Sequence, residues 1–130
     1  MRTRRSFITT AALAAPALLL ANVPQATEDN IFVHHVYFWL KNPGSKTDRD
    51  KLVEGLKKLS KVRTIKMSHI GQPADTDRPV IDRSYAVSWL VIFKNKADQD
   101  SYQSDPIHLR FVDECSALWS KVVVYDSINV

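Results

Sequence analysis

Tyr102-Gln103-Ser104-Asp105-Pro106-Ile107-His108, followed by the apolar run Trp119-Ser120-Lys121-Val122-Val123-Val124-Tyr125-Asp126, decides how the chain is read. Proline drives the residue before it out of helical geometry yet suits the first turn of a new helix. Asp105 therefore reads as an N-cap that ends one short helix, Ala97 to Ser104, and starts another. In the second helix His108, Val112, Cys115 and Trp119 recur at 4-3-4 spacing and are expected on one face. Lys121 to Ile128 reads as the last strand, with Val122, Val124, Asp126 and Ile128 on one side. An aspartate inside so apolar a strand needs a partner if it is buried, and it reads as structural.

Upstream of this stretch lie three further strands and one helix. Ile31 to Leu40 is rich in β-branched and aromatic residues and apolar on both faces. One face carries Ile31, Val33, His35, Tyr37 and Trp39; the other carries Phe32, His34, Val36, Phe38 and Leu40. A turn at Asn42 to Ser45 leads to an amphipathic helix over about 48–62, with Thr47 as expected N-cap and Leu52, Leu56, Leu59 and Val62 as its apolar stripe. Thr64 to Gln72 reads as a strand with Ile65, Met67 and His69 on one side, 73–82 as a loop, and Ser84 to Phe93 as the third strand. The order β-α-β-β-α-β is the split βαβ arrangement of an α+β, ferredoxin-like sandwich. Two helices cover one face of a four-stranded sheet, so strands apolar on both faces predict a homodimer packed sheet against sheet.

The first 26 residues read as an export signal and 27–30 as a linker, leaving 31–130 as one domain. Arg2, Arg4 and Arg5 precede an apolar run of 11 residues, Ala11 to Ala21, shorter than the roughly 20 that span a bilayer. Arg4-Arg5-Ser6-Phe7-Ile8 resembles a twin-arginine export signal, with Arg4, Arg5 and Phe7 as its signal residues. The expected destination is periplasmic or secreted, without stable membrane association unless the signal is retained. Loss of those three arginines leaves 15 of the 18 basic residues against 14 acidic, a net charge of +1. That balance argues against nucleic-acid binding.

The single cysteine, Cys115, cannot form an internal disulfide and reads as a buried thiol. His34, His35, His69 and His108 show no helical ligand pair, and only three glycines are present. No metal site or phosphate loop is expected.

His35-Val36 in the first strand, Tyr85 to Phe93 in the third, Tyr102 through His108, and Trp119 to Asp126 together resemble the stress-responsive α/β-barrel (Dabb) domain over about residues 31–128. That resemblance implies a dimeric α+β barrel without a cofactor. It does not imply one function: the expectation is a homodimer that binds a small apolar or aromatic ligand, with a cofactor-free cyclase, lyase or isomerase or a purely structural stress protein as alternatives. One plant member of the family performs an aldol-type cyclisation with a Tyr–His pair. By position, Tyr102 and His108 match that catalytic pair, and His35 matches a pocket histidine of the first strand. Where the pattern has a further histidine this chain has Val87, a departure from the cyclase. The implied ligand-binding set is His35, Tyr37, Val87 and Trp89. From its own chemistry His108 can act either as a general base or as a strut hydrogen-bonded between helix and sheet.

Replacing Arg4 and Arg5 by lysine is expected to hold the precursor in the cytoplasm, followed by cell fractionation. Unchanged export would point to the general secretory route instead.

Overall fold

The computed structural model describes residues 30–130. Arg4, Arg5, Phe7 and the expected signal lie outside the described residues. The chain runs β1 (Phe32–Leu40), α1 (Lys46–Leu59), β2 (Ile65–Gly71), β3 (Val87–Phe93), α2 (Lys96–Ser104), α3 (Pro106–Cys115), a 3-10 turn (Ser116–Leu118) and β4 (Trp119–Ile128). The four strands form one sheet in the order β2-β3-β1-β4, and every neighbour is antiparallel. This is the ferredoxin-like sandwich expected from the sequence.

Strand β1 alternates strictly between buried and half-buried residues along its length. Its even positions, Phe32 to Leu40, face the helices and join Val87, Trp89, Val91 and Phe93 of β3. The stripe Leu52, Leu56 and Leu59 of α1 lies on this layer, fully buried. Burial at that depth stabilises by about 1.5–3 kcal/mol per side chain.

Local signals set the ends of the helices. Ser45, not Thr47, caps α1, accepting the Asp48 main-chain N–H at 3.1 Å, so the helix starts two residues earlier than expected. Asn95 caps α2 and Asp105 caps α3, accepting from Asp98 and Ile107 at 2.8 Å each. The buried face of α3 is Phe111 and Cys115, whereas Val112 is 39% exposed. The expected 4-3-4 face fails because the chain leaves the helix at Cys115, and Trp119 already belongs to β4. There Trp119 pairs with Leu40 and packs on Phe38 and Phe111.

The side expected for β2 is also corrected. A register irregularity between Ile65 and Met67 sets Ile65 against Phe93 and Met67 against Ile92. Ile65 therefore packs on the core while Met67 stays 51% exposed on the other face. An inserted residue of this kind breaks the two-residue alternation.

The sheet face away from the helices carries Val33, His35, Tyr37 and Trp39 of β1, with Leu90, Ile92 and Tyr125 beside them. No element among the described residues covers it. No helix of the described residues is long and apolar enough to cross a membrane.

Helices α1 and α3 touch at Gly55, where an added Cβ would run into the Cys115 sulfur and approach Phe111 Cδ1 to 3.3 Å. Gly55→Ala is expected to destabilise by about 1–3 kcal/mol through overpacking, despite the better helix propensity of alanine. Urea unfolding should show Gly55→Ala with Cys115→Ala losing less than the sum of the single changes.

Candidate functional site

Among the buried residues at the Phe32 end of the helix-facing layer stands a polar cluster. His34 on β1 is 6% exposed. It lies opposite Asp126 in the β1–β4 register, and its Nδ1 lies 2.7 Å from the Asp126 carboxylate. An Nδ1–H that donates to a carboxylate orients the ring and leaves Nε2 as the nitrogen for proton exchange.

Tyr102 on α2 packs against two imidazoles. Its ring centroid is 5.8 Å from that of His34 and 4.7 Å from that of His108. Trp89 Nε1–H donates to the Tyr102 hydroxyl at 2.9 Å, which leaves the phenol's own hydrogen to be donated elsewhere. Burial pushes the Tyr102 pKa far above its ordinary value of 10.0, so the phenol keeps its proton.

His108 sits in the first turn of α3. Asp105-Pro106 fixes that turn, as expected from the sequence. Desolvation lowers its pKa, with a smaller push from His34. The Gln103 main chain and the Asp105 carboxylate act the other way. The net effect is a neutral imidazole at pH 7. Its Nδ1 is buried with no hydrogen-bond partner in the described residues. The cluster thus offers a carboxylate-held imidazole, a proton-bearing phenol and a neutral imidazole. On its outer side β4 reaches solvent, with Val124 44% and Ile128 69% exposed on either side of Asp126.

Residues 32–129 match the stress responsive A/B barrel domain, Dabb. The chain belongs to the Dabb family. A Dabb family protein of Mesorhizobium loti with a ferredoxin-like fold is 23% identical, with a TM-score of 0.65 over 78% of this chain and 98% of that one. A hydroxynitrile lyase from Passiflora edulis is also 23% identical, with a TM-score of 0.64 over 78% and 95% of the two chains. A dimeric ferredoxin-like protein of unknown function from Thermobifida fusca is 13% identical, with a TM-score of 0.63 over 78% and 93%. At these identities the likeness establishes the fold. No curated protein matches the sequence.

In this Dabb domain Tyr102 and His108 come together as expected, but His35 does not join them. Adjacent strand residues point to opposite faces, and His34 takes the helix side. His35 hydrogen-bonds Tyr37 at 3.2 Å on the open face. Tyr37 is thereby also removed from the cluster. Trp89 reaches it through Tyr102. Val87 pairs with Phe38, four residues along the strand from the Val91–His34 pair, or about 13 Å away. The set His35, Tyr37, Val87 and Trp89 therefore lines no common cavity.

Sequence reasoning missed His34 and Asp126 as a pair. Each had been placed on the correct strand face. The missing signal was the register that sets the first strand against the last.

The depressed pKa of His108 has a defined consequence. Below its ordinary value of 6.5 the unfolded chain takes up a proton that the folded chain resists. Its contribution to stability is complete above that pH and lost as the pH falls. Urea unfolding at about pH 7.5 and about pH 5.5 should show a smaller pH dependence in His108→Gln than in the parent. His35, lowered mainly by burial, keeps part of the remaining slope.

Proposed function

We propose that this Dabb domain is a cofactor-free lyase-type catalyst of proton transfer on a small hydroxy or carbonyl compound. The observation that carries the reading is the buried His34 imidazole held by Asp126 beside Tyr102 and His108. A core without chemistry gains little from placing two imidazoles and a phenol together, because each loses hydration that apolar side chains would not.

For a 2-hydroxy nitrile, the substrate class named by the Passiflora edulis enzyme, the steps balance without an outside reagent. His34 Nε2 takes the hydroxyl proton, and the carbon–carbon bond breaks as the carbonyl forms. The departing cyanide receives that proton. Tyr102 O–H donates a hydrogen bond to the substrate oxygen, and neutral His108 packs on the Tyr102 ring.

The same reading includes a homodimer closed over the open sheet face, since Met67, Leu90, Ile92 and Tyr125 leave an apolar surface there. The dimeric Thermobifida fusca protein of like fold supports this. It also includes export to the periplasm or beyond, on the strength of Arg4, Arg5 and Phe7.

The test is cleavage of mandelonitrile by the purified protein, read as benzaldehyde release against the uncatalysed rate. Asp126→Asn and Tyr102→Phe should each lower turnover, and His34→Gln should lower it by about 10²–10⁴-fold, with thermal melts showing a folded protein. Turnover unaffected by His34→Gln would remove these roles. Retention of a small molecule in native mass spectrometry, without turnover of hydroxy nitriles or β-hydroxy ketones, would leave a binding protein.

A further inference from the structure

Two histidines stand on the open face of the sheet with one leucine between them. Leu90 of β3 pairs with His35 of β1 on one side and with His69 of β2 on the other. Tyr125 of β4 completes the row beyond His35, and Ile92 and Met67 lie in the next one. Both imidazoles therefore belong to the surface that a homodimer of this domain buries. A two-fold contact uses the same patch on each copy and brings four such rings into one interface.

No carboxylate stands among them to balance a charge. The strand residues of this face include none, and Asp126 pairs with His34 on the helix side. Asp82, in the segment before β3, lies at the Trp39 end of the face. There the Ser84 main-chain N–H and hydroxyl donate to it at 2.8 and 2.6 Å, and Trp39 Nε1–H donates to the same hydroxyl at 3.0 Å. Trp39 is four residues from His35, about 13 Å along the strand. The Lys121 ammonium of β4 lies over the Trp39 ring, 4.5 Å from its centroid, and adds positive charge. Burial, then the charges of His69 and His34, hold His35 toward its neutral form. The Tyr37 phenol, kept protonated mainly by burial, lies 3.2 Å from His35 Nδ1 and can donate to the neutral ring.

We propose that His35 and His69 form an acid-sensitive latch on the homodimer: two copies hold together while these rings are neutral and separate when they take up protons. The inference rests on the homodimer reading above and concerns its regulation. An imidazolium on the free domain is hydrated, whereas in the closed interface it loses water and meets further imidazoles instead of a counter-ion. The dimer therefore binds fewer protons than two separate copies. Association is at full strength above the ordinary imidazole value of 6.5 and weakens as the pH falls through it.

The experiment is sedimentation of the full chain at about pH 7.5 and about pH 5.5, with circular dichroism on the same samples. The parent should be a dimer at the higher pH, and its dissociation constant should rise about tenfold or more at the lower while the spectrum stays folded. His35→Gln combined with His69→Gln keeps a neutral polar side chain at both positions and should remove most of that rise. Each single change should remove part of it, which decides the matter should the double variant not dimerise. A parent dimer equally tight at both pH values would overturn the latch and leave the dimer standing. A parent that is folded and monomeric at both would overturn dimer and latch together. A rise of the same size in the variants, or acid unfolding in parent and variants alike, would assign the sensitivity to other groups and overturn the roles of His35 and His69.

Discussion

The helices lie on one side of the four-stranded sheet, and β1, paired on both edges, carries apolar residues to both sides. Alternation along that strand assigns Phe32, His34, Val36, Phe38 and Leu40 to the helical layer and their neighbours to the open one. The identity of the buried histidine and the need for a second cover on the sheet both follow from this parity. A slip of one residue would turn Val36, Phe38 and Leu40 to the open face and Val33, Tyr37 and Trp39 to the helices.

Between the layers, polar groups are tolerated where each has a neighbour that lowers its cost. His34 has Asp126, and Tyr102 has the Trp89 N–H. His108 is held less completely: the Gln103 main chain and the Asp105 carboxylate favour it, but its Nδ1 has no partner among the described residues and burial disfavours its protonated form. A residue that costs stability in this way is a better candidate for chemistry than for support.

Much of the fold was legible because its signals are local. Asp105-Pro106 marked the break between α2 and α3, and alternation marked β1. The failures share a cause. Assigning the buried side of α3 to Phe111 rather than Val112 required knowing where the helix stops. Placing Ile65 and Met67 on one side of β2 required the absence of a bulge. The site was legible for Tyr102 and His108, which follow one another within a single turn-helix unit. It was not legible for His34 and Asp126, whose meeting depends on the register of strands from opposite ends of the domain.

That last pairing also bears on the order of events in folding. His34 and Asp126 are 92 residues apart in the chain, and β1 finds β4 only when nearly the whole domain has been made. Pairings between distant segments carry the entropy of closing the intervening loop before any contact rewards it. On a ribosome, β1 waits with both apolar faces uncovered, one edge able to pair with β3 and the other unsatisfied. The acid–base cluster is consequently among the last parts of the molecule to exist. A nascent or truncated chain that lacks its final strand has α2, α3 and Tyr102 in hand but no carboxylate to hold the imidazole.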